Sequence, residues 1–343
     1  MEIKVTMNGA AGKPGQAISL QEQLLRHERR VSKSASANSA ASRNAESSRE
    51  AIREIFAVID SLIGLNEVKE LIYEIHAFTE IQRRRREEHL ATEPTVLHGI
   101  FRGNPGSGKT TLARLLARLY KEMGILSKGH LVEVERADLV GEFIGHTAKK
   151  TKEQVKKALS GLLFIDEAYA LSRGGEKDFG REAIDTLVKA MEDYKNDFVL
   201  VLAGYNSEME MFLRSNPGLY SRFPLHVDFP DYSRHELLEI AAHMYKGREY
   251  GVSGAGWQEL EKYLLGQLME QTYLPGNART IRNIVEASLR TQAVRLMQRP
   301  DYLELTRQEL QEISALDLNL AIKRLPALTR RASLRENSYL ALV

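Results

Sequence analysis

The run Gly103-Asn104-Pro105-Gly106-Ser107-Gly108-Lys109-Thr110 constrains the fold of this chain more than any other stretch. It satisfies the pattern G-x-x-x-x-G-K-[ST] at every fixed position, but the pattern also arises by chance, so its setting decides. Ahead of it, Val96 to Phe101 reads as a short buried strand, placed at residues 97–101. Behind it, Leu112, Leu115, Leu116 and Leu119 recur at i, i+3, i+4, i+7, one apolar face of a helix. Strand, glycine loop and helix N-terminus in that order aim backbone N–H groups and the positive helix end at phosphate oxygens. Lys109 would reach the β- and γ-phosphates, and the Thr110 hydroxyl would hold Mg²⁺. The competing reading is a glycine-rich turn before an ordinary helix, and the strand-loop-helix setting argues against it. A nucleoside triphosphate is the expected ligand, bound by residues Gly103 to Thr111.

Hydrolysis needs a second element. Gly161-Leu162-Leu163-Phe164-Ile165-Asp166-Glu167 is an apolar run ending in two acids. A continuous apolar run suits a strand covered on both faces, as in a parallel sheet. Ligands in such sheets sit at the carboxyl ends of the strands, where Asp166 and Glu167 would emerge. The first acid suits Mg²⁺, the second a base that activates the attacking water. Two acids after a strand could instead begin a helix with favourable dipole charges. Their place, roughly fifty-five residues beyond the phosphate loop, favours the catalytic reading.

The 343 residues suffice for two or three domains. A net charge of +2 gives no global argument for nucleic acid or acidic lipid. The chain has no cysteine, which removes thiol catalysis, cysteine zinc sites and disulfides together and fits a reducing compartment. Neither a signal peptide nor an apolar run long enough to span a bilayer is visible, so a cytoplasmic protein without membrane insertion is expected.

Along the chain, residues 1–48 read as a poorly ordered segment, because Ser32 to Ser48 is dominated by Ser, Ala and Asn. A helix is expected from about Ser48, and the Leu62 to Lys69 stretch leads into another, whose end carries Arg83 to Arg86. Four arginines followed by Glu87 and Glu88 suit a solvated helix end better than a nucleic-acid contact. Five strands are expected, at 97–101, 131–135, 162–165, 198–203 and 225–229, mostly separated by helical patterns, which argues a βαβ-built parallel sheet over residues 49–232. From Ser233 the pattern turns helical, giving an all-helical domain over 233–325 and a basic tail over 326–343. Two other patterns carry no function: no strand precedes the glycines of 251–256, and His235-Glu236 lacks a histidine at the fifth position, Glu239. The nine histidines show no other metal spacing.

With the phosphate loop, the strand-borne acids and a helical domain behind them, the chain resembles the AAA+ ATPases, α/β P-loop proteins with a five-stranded parallel sheet and a small all-helical lid. Residues 126–130, Arg136 to Thr147, Phe164 to Tyr169 and Gly174 to Gly180 are similar to the CbxX/CfxQ branch, from about residue 50 to 320. The likeness is greatest to a branch member acting in spore maturation, which implies that setting here.

The resemblance implies further roles. Asn206, just past the fourth strand, corresponds to the sensor that orients the attacking water; the plainer reading is a turn asparagine. Arg222, in Ser221-Arg222-Phe223, matches the arginine finger that reaches a neighbouring subunit's γ-phosphate, with Arg214 as the other choice. Arg279 in Gly276-Asn277-Ala278-Arg279 matches the second sensor, with Arg282 competing. Leu62, Ile63 and Gly64 resemble the segment that packs the adenine ring, and read equally as core. Phe143-Ile144-Gly145 corresponds to the aromatic–aliphatic–glycine loop that lines a central pore and grips an extended polypeptide. The position is more often tyrosine, and a buried core phenylalanine is the alternative.

The resulting expectation is a Mg²⁺–ATP-driven homo-hexamer that remodels a protein client. One alternative is an ATP-switched assembly scaffold that threads nothing. The other is a nucleic-acid motor or loader, against which the near-neutral charge and the aromatic loop both count.

Overall fold

The computed structural model describes residues 41–93, 96–143, 145–173, 179–195, 197–271 and 273–325. The segments 1–40 and 326–343, with most of the segment expected to be poorly ordered, the basic tail, Ile144 and most of the 174–180 motif, lie outside them. Met1–Glu50 and Ala51–Val343 are separate compact units, and every strand belongs to the second.

Alternation builds the sheet. Strands β1 (Gly99–Gly103), β2 (Leu131–Val134), β3 (Leu162–Ile165), β4 (Val199–Gly204) and β5 (Leu225–Phe229) are all parallel, in the order β2-β3-β4-β1-β5. Side chains on a strand point alternately to opposite faces, and here both faces are covered. Leu162, Phe164, Val199, Val201 and Phe101 enter one apolar cluster, while Leu163, Ile165, Leu200, Leu202 and Ile100 enter the other.

On the first face lie the part of α1 (Ala41–Ser61) from Ile52 on, α2 (Asn66–Glu87) and α3 (Lys109–Glu122). The four leucines expected on one face of α3 are all buried, between 0% and 7% exposed. On the second face lie α4 (Arg136–Leu139), α5 (His146–Ala158), a short 3-10 turn (Ala168–Ser172), α6 (Gly180–Asp193), α7 (Asn206–Ser215) and α8 (Pro217–Tyr220). Beyond β5 come α9 (Arg234–Lys246), β6 (Gly251–Val252), α10 (Gly254–Glu270), α11 (Asn277–Met297), α12 (Arg307–Gln311) and β7 (Glu312–Ile313). Leu237, Leu260, Leu264, Ile281 and Ile284 of this part continue the first apolar cluster, so sheet and lid share a core.

Three expectations change by more than a single residue at a strand end. The first helix begins at Ala41, not near Ser48. Ala41, Arg43, Ala45 and Glu46 are good helix formers, so the helix extends into a stretch that carries no apolar period. The helical part is not purely helical, because β6 pairs in parallel with β7. Two-residue strands are too short to display a period of two. The first strand starts at Gly99 rather than residue 97, since the His98 ring Nδ1, not a main-chain oxygen, accepts the Leu200 N–H at 3.0 Å.

Arg83 to Arg86 do end a helix. Arg83 pairs with Glu80 and Glu87, Arg84 with Glu80, and Arg85 donates to the Ala91 carbonyl.

Candidate active site

Strand order locates the cleft before any side chain does. The connection from β1 leaves toward β2 and that from β4 leaves toward β5, on opposite sides. Neighbouring strands whose connections diverge open a crevice at their carboxyl ends. A cleft of about 620 Å³ lies there, lined by the phosphate loop, the ends of β3 and β4, the turn before α2, and helices α9 and α11.

The loop after β1 is held close to the lid. Gly106 has φ +75, and a Cβ there would stand 2.1 Å from the Gly276 carbonyl oxygen and 2.9 Å from the Arg279 nitrogen, so only glycine fits. The first N–H groups of α3, from Lys109 on, have no carbonyl one turn below them. Lys109 is 9% exposed and donates to the carbonyls of Gly103 at 2.7 Å and Asn104 at 2.9 Å. Burial lowers its pKa, and the Asp166 and Asp231 charges work the other way. The Ser107 hydroxyl is buried without a hydrogen-bond partner. A cation, a helix start and an orphan hydroxyl around one loop form a donor set that suits a polyphosphate.

Asp166 and Glu167 leave β3 into the same cleft. The Asp166 Oδ1 accepts the Glu167 N–H at 3.0 Å. Glu167 sits at φ 46, a left-handed conformation costly for a side chain of this size, and strain of this kind concentrates at functional positions. Thr110 and Thr111 at the start of α3 both line the cleft, Thr111 being exposed. Among the described residues no three or more acidic or histidine side chains converge on one point. Mg²⁺ bound through phosphates takes only one or two carboxylates plus waters, which Asp166 and Thr110 fit.

At the exit of β4 the cleft is lined by Gly204 and Tyr205, whereas Asn206 opens α7, exposed and outside the lining. Burial, then the charges of Glu167 and Asp166, raise the Tyr205 pKa, so this phenol stays protonated beside the acids. Its ring packs on Tyr169 at 5.7 Å between centroids.

Leu62, Ile63 and Leu65 line the opposite end with Ile240 and Met244 of α9, an apolar end beside a polar one. Gly64, at φ +65, faces Glu236 instead. Arg279 and Arg282 of α11 both reach the cleft. Asn104 does not line it, and its amide is turned to Asp231. Gly103, Pro105, Gly106, Ser107 and Gly108 complete the loop, with Gly108 at the N-cap of α3.

Arg222, Arg214 and Phe143 lie away from the cleft of their own chain. Arg222 pairs with Glu192 and Arg214 with Glu210. Phe143 is 63% exposed, touching His146 edge-on at 5.5 Å between centroids. Gly145 follows at φ +80 with open space around it. The sequence reading missed Tyr205, Asp231, Tyr232 and Asn277. Only Asn277 carried a local signal, an amide residue just after a glycine where a helix starts.

Comparison with known proteins agrees with this geometry. The model of the ATPase family associated with various cellular activities (AAA) matches residues 100–231, and that of the AAA lid domain matches 233–327. Stage V sporulation protein K of Bacillus subtilis is 51% identical over 272 residues, covering 78% of this chain and 83% of that protein. Protein CbbX of Cereibacter sphaeroides is 47% identical, covering 71% and 79%. The chloroplastic ribulose bisphosphate carboxylase/oxygenase activase of Cyanidioschyzon merolae is 43% identical, covering 78% and 91%. Among solved structures, the Holliday junction branch migration motor RuvB of Thermotoga maritima matches with a TM-score of 0.50 at 18% identity, over 78% of this chain and 71% of that one. That likeness shows the fold alone. Family models, relatives, strand order and cleft together make this chain a nucleotide-binding ATPase of the AAA family and a member of its CbxX/CfxQ branch.

Proposed function

We propose that this ATPase is a homo-hexameric motor that uses Mg²⁺ and ATP to remodel a protein client by pulling on an exposed polypeptide segment. The observation that carries the reading is Phe143, an aromatic ring 63% exposed and followed by a left-handed glycine with free space around it. Such a ring adds little to the core and offers apolar contact indifferent to sequence, on a backbone free to swing. The Cyanidioschyzon merolae relative is by name an activase of another enzyme, which supports a protein client. The name of the Bacillus subtilis relative supports a place in spore maturation, and the absence of cysteine fits a cytoplasmic one. No helix among the described residues is long and apolar enough to cross a membrane.

In this reading residues 49–232 bind the nucleotide and 233–325 form the lid. Leu62, Ile63 and the neighbouring Gly64 pack the adenine ring. The N–H groups from Gly106 to Thr111 and the Lys109 amine hold the phosphates, with Arg279 closing from the lid. Thr110 and Asp166 would hold Mg²⁺, which would supply positive charge beside the phosphates. Glu167 takes a proton from the attacking water. The exit of β4 orients that water, through Tyr205 in the cleft with Asn206 beside it. Arg222 serves the neighbouring subunit, where it offsets transition-state charge.

A substrate trap tests the client. Glu167→Gln loaded with ATP is expected to bind nucleotide, stay assembled and retain a polypeptide from sporulating cells. The same protein carrying Phe143→Ala is expected to lose it. Equal retention by both would replace the threading motor with an assembly scaffold that docks through another surface.

A further inference from the structure

Where the sheet hands over to the lid, side chains from three segments share one set of hydrogen bonds. Asp231 lies between β5 and α9, and its two carboxylate oxygens accept the Asn104 amide at 3.0 and 2.9 Å. Its Oδ1 also accepts the Asn277 Nδ2 at 2.7 Å. Asn277 is the first residue of α11 and is fully buried. Its Oδ1 accepts the Tyr232 N–H at 3.2 Å, and its Nδ2 reaches the Pro105 carbonyl at 3.4 Å. The Tyr232 hydroxyl donates to the Ser107 carbonyl at 3.2 Å. The phosphate loop is thus gripped at Asn104, Pro105 and Ser107 by the linker and by the start of the lid helix.

Asn277 combines two unfavourable features, a fully buried amide and a left-handed backbone at φ 44. A residue of that kind persists where its surroundings over-determine it. Starting α11 does not need it, since Gly276 already supplies the N-cap. What the amide adds is a bridge, and Arg279 sits two residues further along the same turn, its N–H on the Gly276 carbonyl at 2.8 Å.

We propose that Asp231 and Asn277 are positioning residues of the ATPase, clamping the lid helix to the phosphate loop so that Arg279 is held over bound nucleotide. The inference rests on the cleft being the nucleotide site. The clamp has a polarity: Asp231 only accepts, and Asn277 both donates and accepts. Asn277→Asp places two carboxylates at hydrogen-bond distance, whereas adding Asp231→Asn to it restores one donor facing one acceptor.

The readouts are KM and kcat for ATP, and energy transfer from Trp257, the single tryptophan and a lid residue, to N-methylanthraniloyl-ATP. Asn277→Asp is expected to raise KM about tenfold and lower the transfer to the level of Arg279→Ala. The double variant is expected to recover to within about threefold of wild type. A role in stability alone would shift melting without this exchange pattern. A folded Asn277→Asp with wild-type KM and transfer overturns the proposal, as does a folded double variant that recovers neither. Should Asn277→Asp fail to fold, Asn104→Ala tests the half-buried loop end of the clamp: raised KM with reduced transfer supports it, and wild-type values for both overturn it. Wild-type transfer that survives Lys109→Ala sinks the cleft assignment first, and the clamp with it.

Discussion

At the exit of β4 two neighbouring residues, Tyr205 and Asn206, carry groups able to hydrogen-bond a water, and only Tyr205 lines the cleft. Tyr205 faces the acids with a phenol that stays protonated, while Asn206 is exposed at the start of α7. Tyr205→Phe is expected to lower kcat about tenfold with little change in KM, and Asn206→Ala to change kcat by less than about threefold. Steady-state kinetics decide, and the reverse order would give the sensor role to Asn206 alone. Lys109, Thr110 and Asp166 were legible in the sequence because each lies in a short run whose order carries its chemistry. Asp231 and Asn277 were not legible. Asn104 is 127 residues from Asp231 and Asn277 is 172 from Pro105, so only folding makes them partners.

Elements were legible where a period repeats. The leucine stripe of α3 and the apolar runs of β3 and β4 each show enough residues to betray which faces are buried. The start of β1 was not, because it depends on the imidazole of His98, which occupies a place on the ladder. That ring is 4% exposed and its pKa is lowered by burial from 6.5 to about 4. The sign is set by that lowering. Between pH 6.5 and 4 the unfolded chain takes up a proton that the folded chain refuses, so stability is complete above 6.5 and declines as the pH falls through that window. The whole effect amounts to about 3 kcal/mol. His98→Gln, which keeps an acceptor but cannot titrate, is expected to flatten the slope of unfolding free energy between pH 6.5 and 5, measured in urea. An unchanged slope would locate the titrating group elsewhere.

At the scale of the whole molecule, the residue matched to the arginine finger is the part missing from the cleft of its own chain. Arg222 is tied to Glu192 and about one-third exposed (34%), so the proposed role at a neighbour's nucleotide requires that this pair open. Arg222→Ala is expected to bind ATP normally and lose turnover by on the order of 10³. Lys109→Ala is expected to lose ATP binding yet still present Arg222. Mixing the two variants should therefore recover activity that neither has alone. Intact mixed assemblies with no recovery would transfer the finger role to Arg214. Neither subunit number nor client was legible in the sequence, since both depend on surfaces that no motif spells out.

The division of the core into two clusters bears on how such a motor could deliver work. The lid, α1 from Ile52 on, α2 and α3 pack on one face of the sheet, and α4 to α7, with the Phe143 loop between α4 and α5, pack on the other. The sheet between them acts as a bulkhead: its ladder is stiff along the hydrogen bonds, and its two sides have separate linings. In the proposed motor, a stroke begun at the lid would have to cross this plate to reach Phe143, and a tilt of the whole sheet would carry it there without repacking either lining.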